Sequence, residues 1–231
     1  IVEKYGMVWV KTRPGPAFDI DDYLDGAGPD LAGYGLADFH HFETRVLRPR
    51  MNWKLVIDTF LESYHIRVLH RDSIDPLLHS NISAFDGFGN NMRTIYVRRN
   101  FDELSDLPEA QWNILPYTTI VYVLFPNTVF VVQQQQVETW RIYPDGDDPN
   151  RAQMHVSLYI PDAVTSESAQ RHWDRNMELL LKVVDSEDFP LGEKIQYGFR
   201  SDAQDVITFG RNEPALAHFH QSIDRAMAGN V

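Results

Sequence analysis

The feature that most constrains this chain is a run of strands followed at once by a long helix. Residues 118–125 are β-branched and aromatic, Pro126-Asn127 reads as a turn, and residues 128–138 continue as a second strand. Residues 139–143 and 153–160 form another strand pair around a turn at 145–150. Short connections of this kind make an antiparallel sheet. In this reading Gln133 to Gln136 lie inside the second strand, two on each face. The helix covers residues 165–199, capped by Thr165 or Ser166. Its apolar stripe runs Trp173, Met177, Leu180, Val184, then Leu191, Ile195 and Phe199. Asp188 stands where the next hydrophobe belongs. Pro190 follows two residues later and predicts a kink. Glu187 points about 100° away from Asp188 and is the weaker candidate for a buried role.

The rest of the chain adds strands and connections. Residues 5–11 read as one short strand, 12–38 as an irregular connection with five solvated aspartates from Asp19 to Asp30, and 41–48 as a strand. Residues 52–64 have the apolar spacing of a helix, 71–91 read as a long loop, 92–98 as a strand and 100–116 as a polar connection. Pro214 opens a last helix over 215–227. His218 and His220 lie on it two residues apart, on different faces, so they are no chelating pair. His40, His41, His79, His155 and His172 are expected to be structural or exposed.

Helical spacing places His65 on the stripe of Ile57 and Leu61, with Glu62 bordering the same face. His70 is five residues further on. On an unbroken helix that step turns about 140°, so both imidazoles meet one point only where the helix ends or distorts. An acid and two histidines on an apolar face are costly without partners, and a metal ion satisfies all three. Two histidines, one distant carboxylate and open positions are the facial triad of non-haem Fe(II) oxygenases.

Composition narrows the alternatives. The 231 residues admit one large domain or two small ones, and 43% of them are hydrophobic. A formal net charge of −12 argues against nucleic acid and against an anionic membrane surface. The lack of cysteine excludes disulfides, a catalytic thiol and cysteine-ligated metal clusters within these residues, and is compatible with a cytoplasmic location. No run approaches the 18 apolar residues of a transmembrane helix, and no signal peptide is visible. Two other readings share the scaffold: a hydrophobic-ligand carrier without metal, and a zinc hydrolase with Glu62 as base.

Asn52-Trp53-Lys54, then Glu62-Ser63-Tyr64-His65 and His70, resembles the mononuclear-iron motif of Rieske non-haem iron ring-hydroxylating oxygenases, in the catalytic domain of the large (α) subunit. The tail is similar to the same family: Glu187-Asp188 with Glu193 and Gln196, and later Phe209-Gly210-Arg211-Asn212-Glu213-Pro214. The resemblance covers essentially the whole chain. It implies an α+β helix-grip fold (of the Bet v 1 and START type), an antiparallel sheet wrapped on a long C-terminal helix. It also implies Fe(II) held by His65, His70 and Asp188, with Glu62 passing electrons from a neighbouring subunit's [2Fe–2S] Rieske cluster. The expected partners are a small aromatic or apolar substrate, dioxygen, a reductase or ferredoxin drawing on NAD(P)H, and two further copies in a homotrimer. The chain departs from the family in lacking the cysteines of the Rieske domain. Residues 1–231 are therefore expected to be the catalytic domain alone, with 1–11 the last strand after a Rieske domain that precedes it.

Overall fold

The computed structural model describes residues 1–12, 14–201 and 203–229. Nine strands form two sheets: β1 (Val2–Lys4) and β2 (Met7–Trp9) pair as a small hairpin, and the other seven form one antiparallel sheet. Those seven are β3 (His40–Leu47), β4 (Leu78–Phe88), β5 (Asn91–Arg98), β6 (Thr118–Leu124), β7 (Thr128–Val132), β8 (Val137–Asp145) and β9 (Asp148–Ile160). Their spatial order is β3-β9-β8-β7-β6-β5-β4. Two short helices, α1 (Ile20–Leu24) and α2 (Gly28–Gly33), precede β3. Between β3 and β4 lie α3 (Trp53–Asp58) and α4 (Ile66–Leu69). After β9 come α5 (Glu167–Val183), a π-helical turn (Val184–Asp188), α6 (Phe189–Phe199) and α7 (Pro214–Met227). No helix among the described residues is long and apolar enough to cross a membrane.

Both faces of the sheet are covered, which explains why β6 and β7 read as nearly continuous apolar runs rather than alternating ones. On the inner face Val121, Val123, Val129, Trp140, Ile142, Val156 and Leu158 pack against α3, Met177, Phe189 and Phe219. On the outer face Ile120, Tyr122, Leu124, Phe130 and Val132 pack against Ile20, Leu24 and Leu31. Each fully buried side chain of this size contributes about 1.5–3 kcal/mol to holding the layers together.

Apart from β4, the strands of the central sheet lie within or close to the segments read as strands, the two-part C-terminal helix lies within the segment read as helix, and the differences have local causes. Residues 5–11 are not one strand, because Tyr5 and Gly6 turn the chain at φ 58° and 71°. A Cβ on Gly6 would lie 2.4 Å from the Ala37 backbone nitrogen, so glycine alone fits there. Residues 12–38 contain α1 and α2, although residue 13 is outside the described residues. Most of 71–91 is the edge strand β4, whose half-exposed, irregular pairing leaves little hydrophobic alternation to read. Gln133 to Gln136 form the β7–β8 turn, closed by Gln133 N donating to Gln136 O at 3.0 Å. Gln133 and Gln136 both donate to the buried Glu138 carboxylate.

Candidate metal centre

The helix expected over 52–64 stops at Asp58. Asn52 caps it by accepting from Lys54 N at 3.0 Å. The end is set by side chains that compete for backbone partners. Thr59 Oγ1 donates to Val56 O, and Phe60 N and Leu61 N tighten onto residues three back. Glu62 then turns its carboxylate onto the N–H groups of Tyr64 and His65, starting the next turn. His65 and His70 flank the four-residue helix α4, one at each end. The distortion demanded by their five-residue spacing is thus supplied by a break before the pair and the short helix between them.

The carboxylate arrives from the other end of the chain. Ser186 Oγ donates to Lys182 O and Pro190 removes a donor, so the regular ladder gives way to a π turn ending at Asp188. Hydrogen bonds tie the two halves of the site together across more than 140 residues. Gln196 accepts from Asn52 N at 2.8 Å, and Glu193 accepts from Arg50 N at 2.9 Å. Asn212 Nδ2 donates to the Tyr64 hydroxyl at 3.1 Å.

His65, His70 and Asp188 each offer one ligand atom, and these atoms lie within 4.8 Å of one another. Asp188 Oδ1 is 3.1 Å from His70 Nε2 and 3.7 Å from His65 Nε2. Ligand atoms bonded to one divalent ion at about 2.1 Å and at right angles sit about 3 Å apart, so the spacing suits a metal. The rings stand 4.9 Å apart at 71°. Each Nδ1 faces a carboxylate: His65 meets Glu62, and His70 meets Glu187 at 2.6 Å. Those carboxylates favour a proton on Nδ1 and leave the Nε2 lone pairs for a cation.

The electrostatics follow from this arrangement. Burial works against the charged Glu62 carboxyl, but His65 and the two backbone N–H groups hold it below its ordinary range. Burial depresses His70, yet Asp188 and Glu187 together raise it. Glu187 is lowered despite its own desolvation, by His70 and by Ser73, which donates to Oε2 at 2.7 Å. Sequence reasoning missed Ser73 and gave Glu187 no partner. The helical wheel hides Glu187, because the π turn rotates it toward His70.

A cavity of about 290 Å³ opens beside His65 and Asp188. Leu191, Ile195, Phe199, Ile207 and Phe209 make much of its wall. Asp58 also borders it, with both oxygens facing His220 Nε2 at 3.0 and 3.1 Å. His218 packs instead against Phe85, with ring centroids 5.6 Å apart.

Three solved structures share the arrangement of strands and helices. The quaternary ammonium Rieske monooxygenase CntA, in complex with an inhibitor, superposes with a TM-score of 0.70 at 18% identity, covering 91% of this chain and 56% of that one. Dicamba monooxygenase bound to 3,6-dichlorosalicylic acid gives 0.55 at 10% identity, covering 88% and 66%. The NdmA QL mutant of Pseudomonas putida CBB5 with caffeine gives 0.51 at 10% identity, covering 80% and 50%. The chain thus spans little more than half the length of CntA. A search of curated proteins gave no match. A family model described as the catalytic domain of the ring hydroxylating alpha subunit matches residues 36–229. That match takes in every element from β3 to α7, and with it the chain belongs to the ring hydroxylating alpha subunit family, catalytic domain.

Proposed function

We propose that this chain is the catalytic part of a Rieske-type oxygenase, holding one Fe(II) between His65 Nε2, His70 Nε2 and Asp188. The carrying observation is the meeting of these three ligand atoms within 4.8 Å, from residues more than a hundred positions apart. Two neutral imidazoles and one carboxylate suit a ferrous ion and leave its other positions open. Bound there, the iron would supply the activation of dioxygen.

The chain's own residues do the rest. Glu62 and Glu187 hold the Nδ1 protons, so that both rings keep one orientation and one tautomer. Asp188 is buried at the end of the π turn, with Oδ1 toward both Nε2 atoms. The apolar walls beside the site exclude water and take a small aromatic or apolar substrate. Electrons would come from a [2Fe–2S] Rieske cluster fed by a reductase or ferredoxin and NAD(P)H. That cluster needs cysteines that these residues lack. Glu62, hydrogen-bonded to His65, would relay them from a neighbouring copy in a homotrimer. CntA is solved in complex with the substrates L-carnitine and gamma-butyrobetaine, and the NdmA QL mutant with caffeine and with theobromine. CntA and the dicamba enzyme are named monooxygenases, which favours mono-oxygenation of a small molecule here, by hydroxylation or demethylation, over dihydroxylation.

Anaerobic loading with Fe(II) followed by metal analysis tests the reading. One iron per chain is expected in the native protein and none in His65→Ala or Asp188→Ala. Stoichiometric iron in both variants would overturn the assignment. Glu62→Gln should keep the iron while losing turnover driven through a Rieske partner.

A further inference from the structure

A second cavity lies on the other side of the sheet from the metal centre. It measures about 600 Å³ and sits between the outer face of the sheet and the β1–β2 hairpin. Its walls are apolar and aromatic at Trp9, Phe39, Phe125 and Phe130, and its floor carries Thr139 and Arg141 from β8. Those two residues alternate along one strand, opposite Phe130 and Thr128 of β7, so both side chains rise from the same face.

Arg141 is unlike the other inward-facing arginine of this face. Arg93 is clamped between Asp30 and Asp86. Arg141 has no carboxylate within 4.0 Å among the described residues, and its single hydrogen bond is a long one, Nη2 to Ser157 Oγ at 3.5 Å. Its Nε is buried and without a hydrogen-bond partner, and so is Thr139 Oγ1. Acids outnumber bases by 33 to 21 in this chain, so an arginine turned inward and left without an acid stands out. Glu3 lines the same cavity, but from the exposed strand β1, and it forms no ion pair. His41 also borders the cavity, and its Nε2 is engaged by Thr44 Oγ1 at 2.7 Å, which in turn meets Ser157 Oγ at 2.8 Å. Arg141 Nη1 makes no hydrogen bond among the described residues and is not walled off as Nε is, so the Nη end of the guanidinium is the part that meets the cavity.

We propose that this cavity is a second ligand site, separate from the metal centre, that takes a small aryl carboxylate with Arg141 as its anion-binding residue. A carboxylate can accept from the Nη groups of the Arg141 guanidinium, while its Nε–H and the Thr139 hydroxyl lie walled off behind them. One guanidinium matches one negative charge, which favours a monoanion over a phosphate dianion. The aromatic walls cover the body of the ligand, and the volume lies in the range of small-molecule pockets.

Calorimetric titration of the purified protein with 3-phenylpropionate and with its neutral isostere 3-phenylpropionamide tests this. The carboxylate is expected to bind one per chain, and the amide at least tenfold more weakly. Arg141→Gln should bring the carboxylate down to the level of the amide. Arg141→Lys, which keeps the charge but not the planar fork, should weaken it severalfold, and carries the test should Arg141→Gln fail to fold. A variant with both His65→Ala and His70→Ala should bind the carboxylate as the native protein does. Equal binding of acid and amide would overturn the proposal. So would undiminished affinity in Arg141→Gln together with Arg141→Lys, or loss of binding in the double histidine variant, which would place the ligand at the metal centre instead. Iron loading is read separately, so failure here leaves the metal assignment standing.

Discussion

Glu187→Gln is the most informative change near the proposed iron. The glutamate contributes no ligand atom, yet its Oε2 accepts from His70 Nδ1 at 2.6 Å and from Ser73 Oγ at 2.7 Å. Glutamine keeps the shape and one accepting oxygen but removes the charge. A hydrogen bond to a charged group contributes about 1.5–3 kcal/mol against about 0.5–1.5 for a neutral pair. Two such bonds therefore lose about 2 kcal/mol in sum. The Glu187 side chain is 28% exposed, and solvent screening trims the loss to about 1.5 kcal/mol. That is about tenfold in Fe(II) affinity, at the lower end of the 10–100-fold that outer partners of metal ligands contribute. Ser73→Ala removes only one of the two donors to Glu187 and leaves the His70 bond intact, so its cost should stay under about threefold. Both are read by anaerobic competition against a calibrated ferrous chelator at pH 7. The reasoning fails if Glu187→Gln binds iron as tightly as the native protein, or if Ser73→Ala costs as much as Glu187→Gln.

Three further outcomes follow from other parts of the molecule. Asp58 raises His220 above its ordinary value of 6.5, through the hydrogen bond first and against the opposing effect of burial. A raised histidine stabilises the fold fully below about 6.5 and loses that effect as pH rises through its folded value, so the loss in Tm from Asp58→Asn should be larger at pH 6 than at pH 9; an equal loss at both would show that His220 does not titrate with folding. Gly192 lies where a Cβ would be 2.5 Å from Met51 Sδ, whereas nothing lies within 4 Å of one on Gly198. Urea denaturation should show Gly192→Ala losing about 1 kcal/mol, overpacking outweighing the gain in helix propensity, and Gly198→Ala gaining up to about 1 kcal/mol; the same sign for both would refute the packing argument. Met177 is 1% exposed and Ile195 39%, so Met177→Ala should cost about 2–4 kcal/mol and Ile195→Ala under about 1 kcal/mol, while equal costs would mean that both belong to one buried stripe.

That last comparison marks where the sequence stops being readable. The four- and three-residue steps from Trp173 to Val184 extrapolate to Asp188, and Asp188 is buried at that position because α5 is regular up to Val183. Beyond it the same steps select Leu191, Ile195 and Phe199, which are instead about 40% exposed along the cavity wall. The residues that face the core are Phe189, Gly192 and Gln196. The π turn accommodates one residue more than an α turn, which rotates everything after it by about 100°. Pro190 announces a kink but not its hand or its size, so periodicity alone cannot follow the helix through it. The break after Asp58 is hidden for a related reason. Thr59 and Glu62 end α3 by side-chain bonds to the backbone, and such bonds leave the apolar spacing of Ile57, Leu61 and His65 untouched. Side-chain identity and spacing thus bring out the residues that need a partner, His65, His70 and Asp188, because burying them unpaired is costly wherever the backbone goes. They do not bring out Glu187, Ser73 or Arg141. What those three do is decided by a rotated turn, a loop contact and the lack of a neighbouring acid, and all of these arise only once the chain has folded.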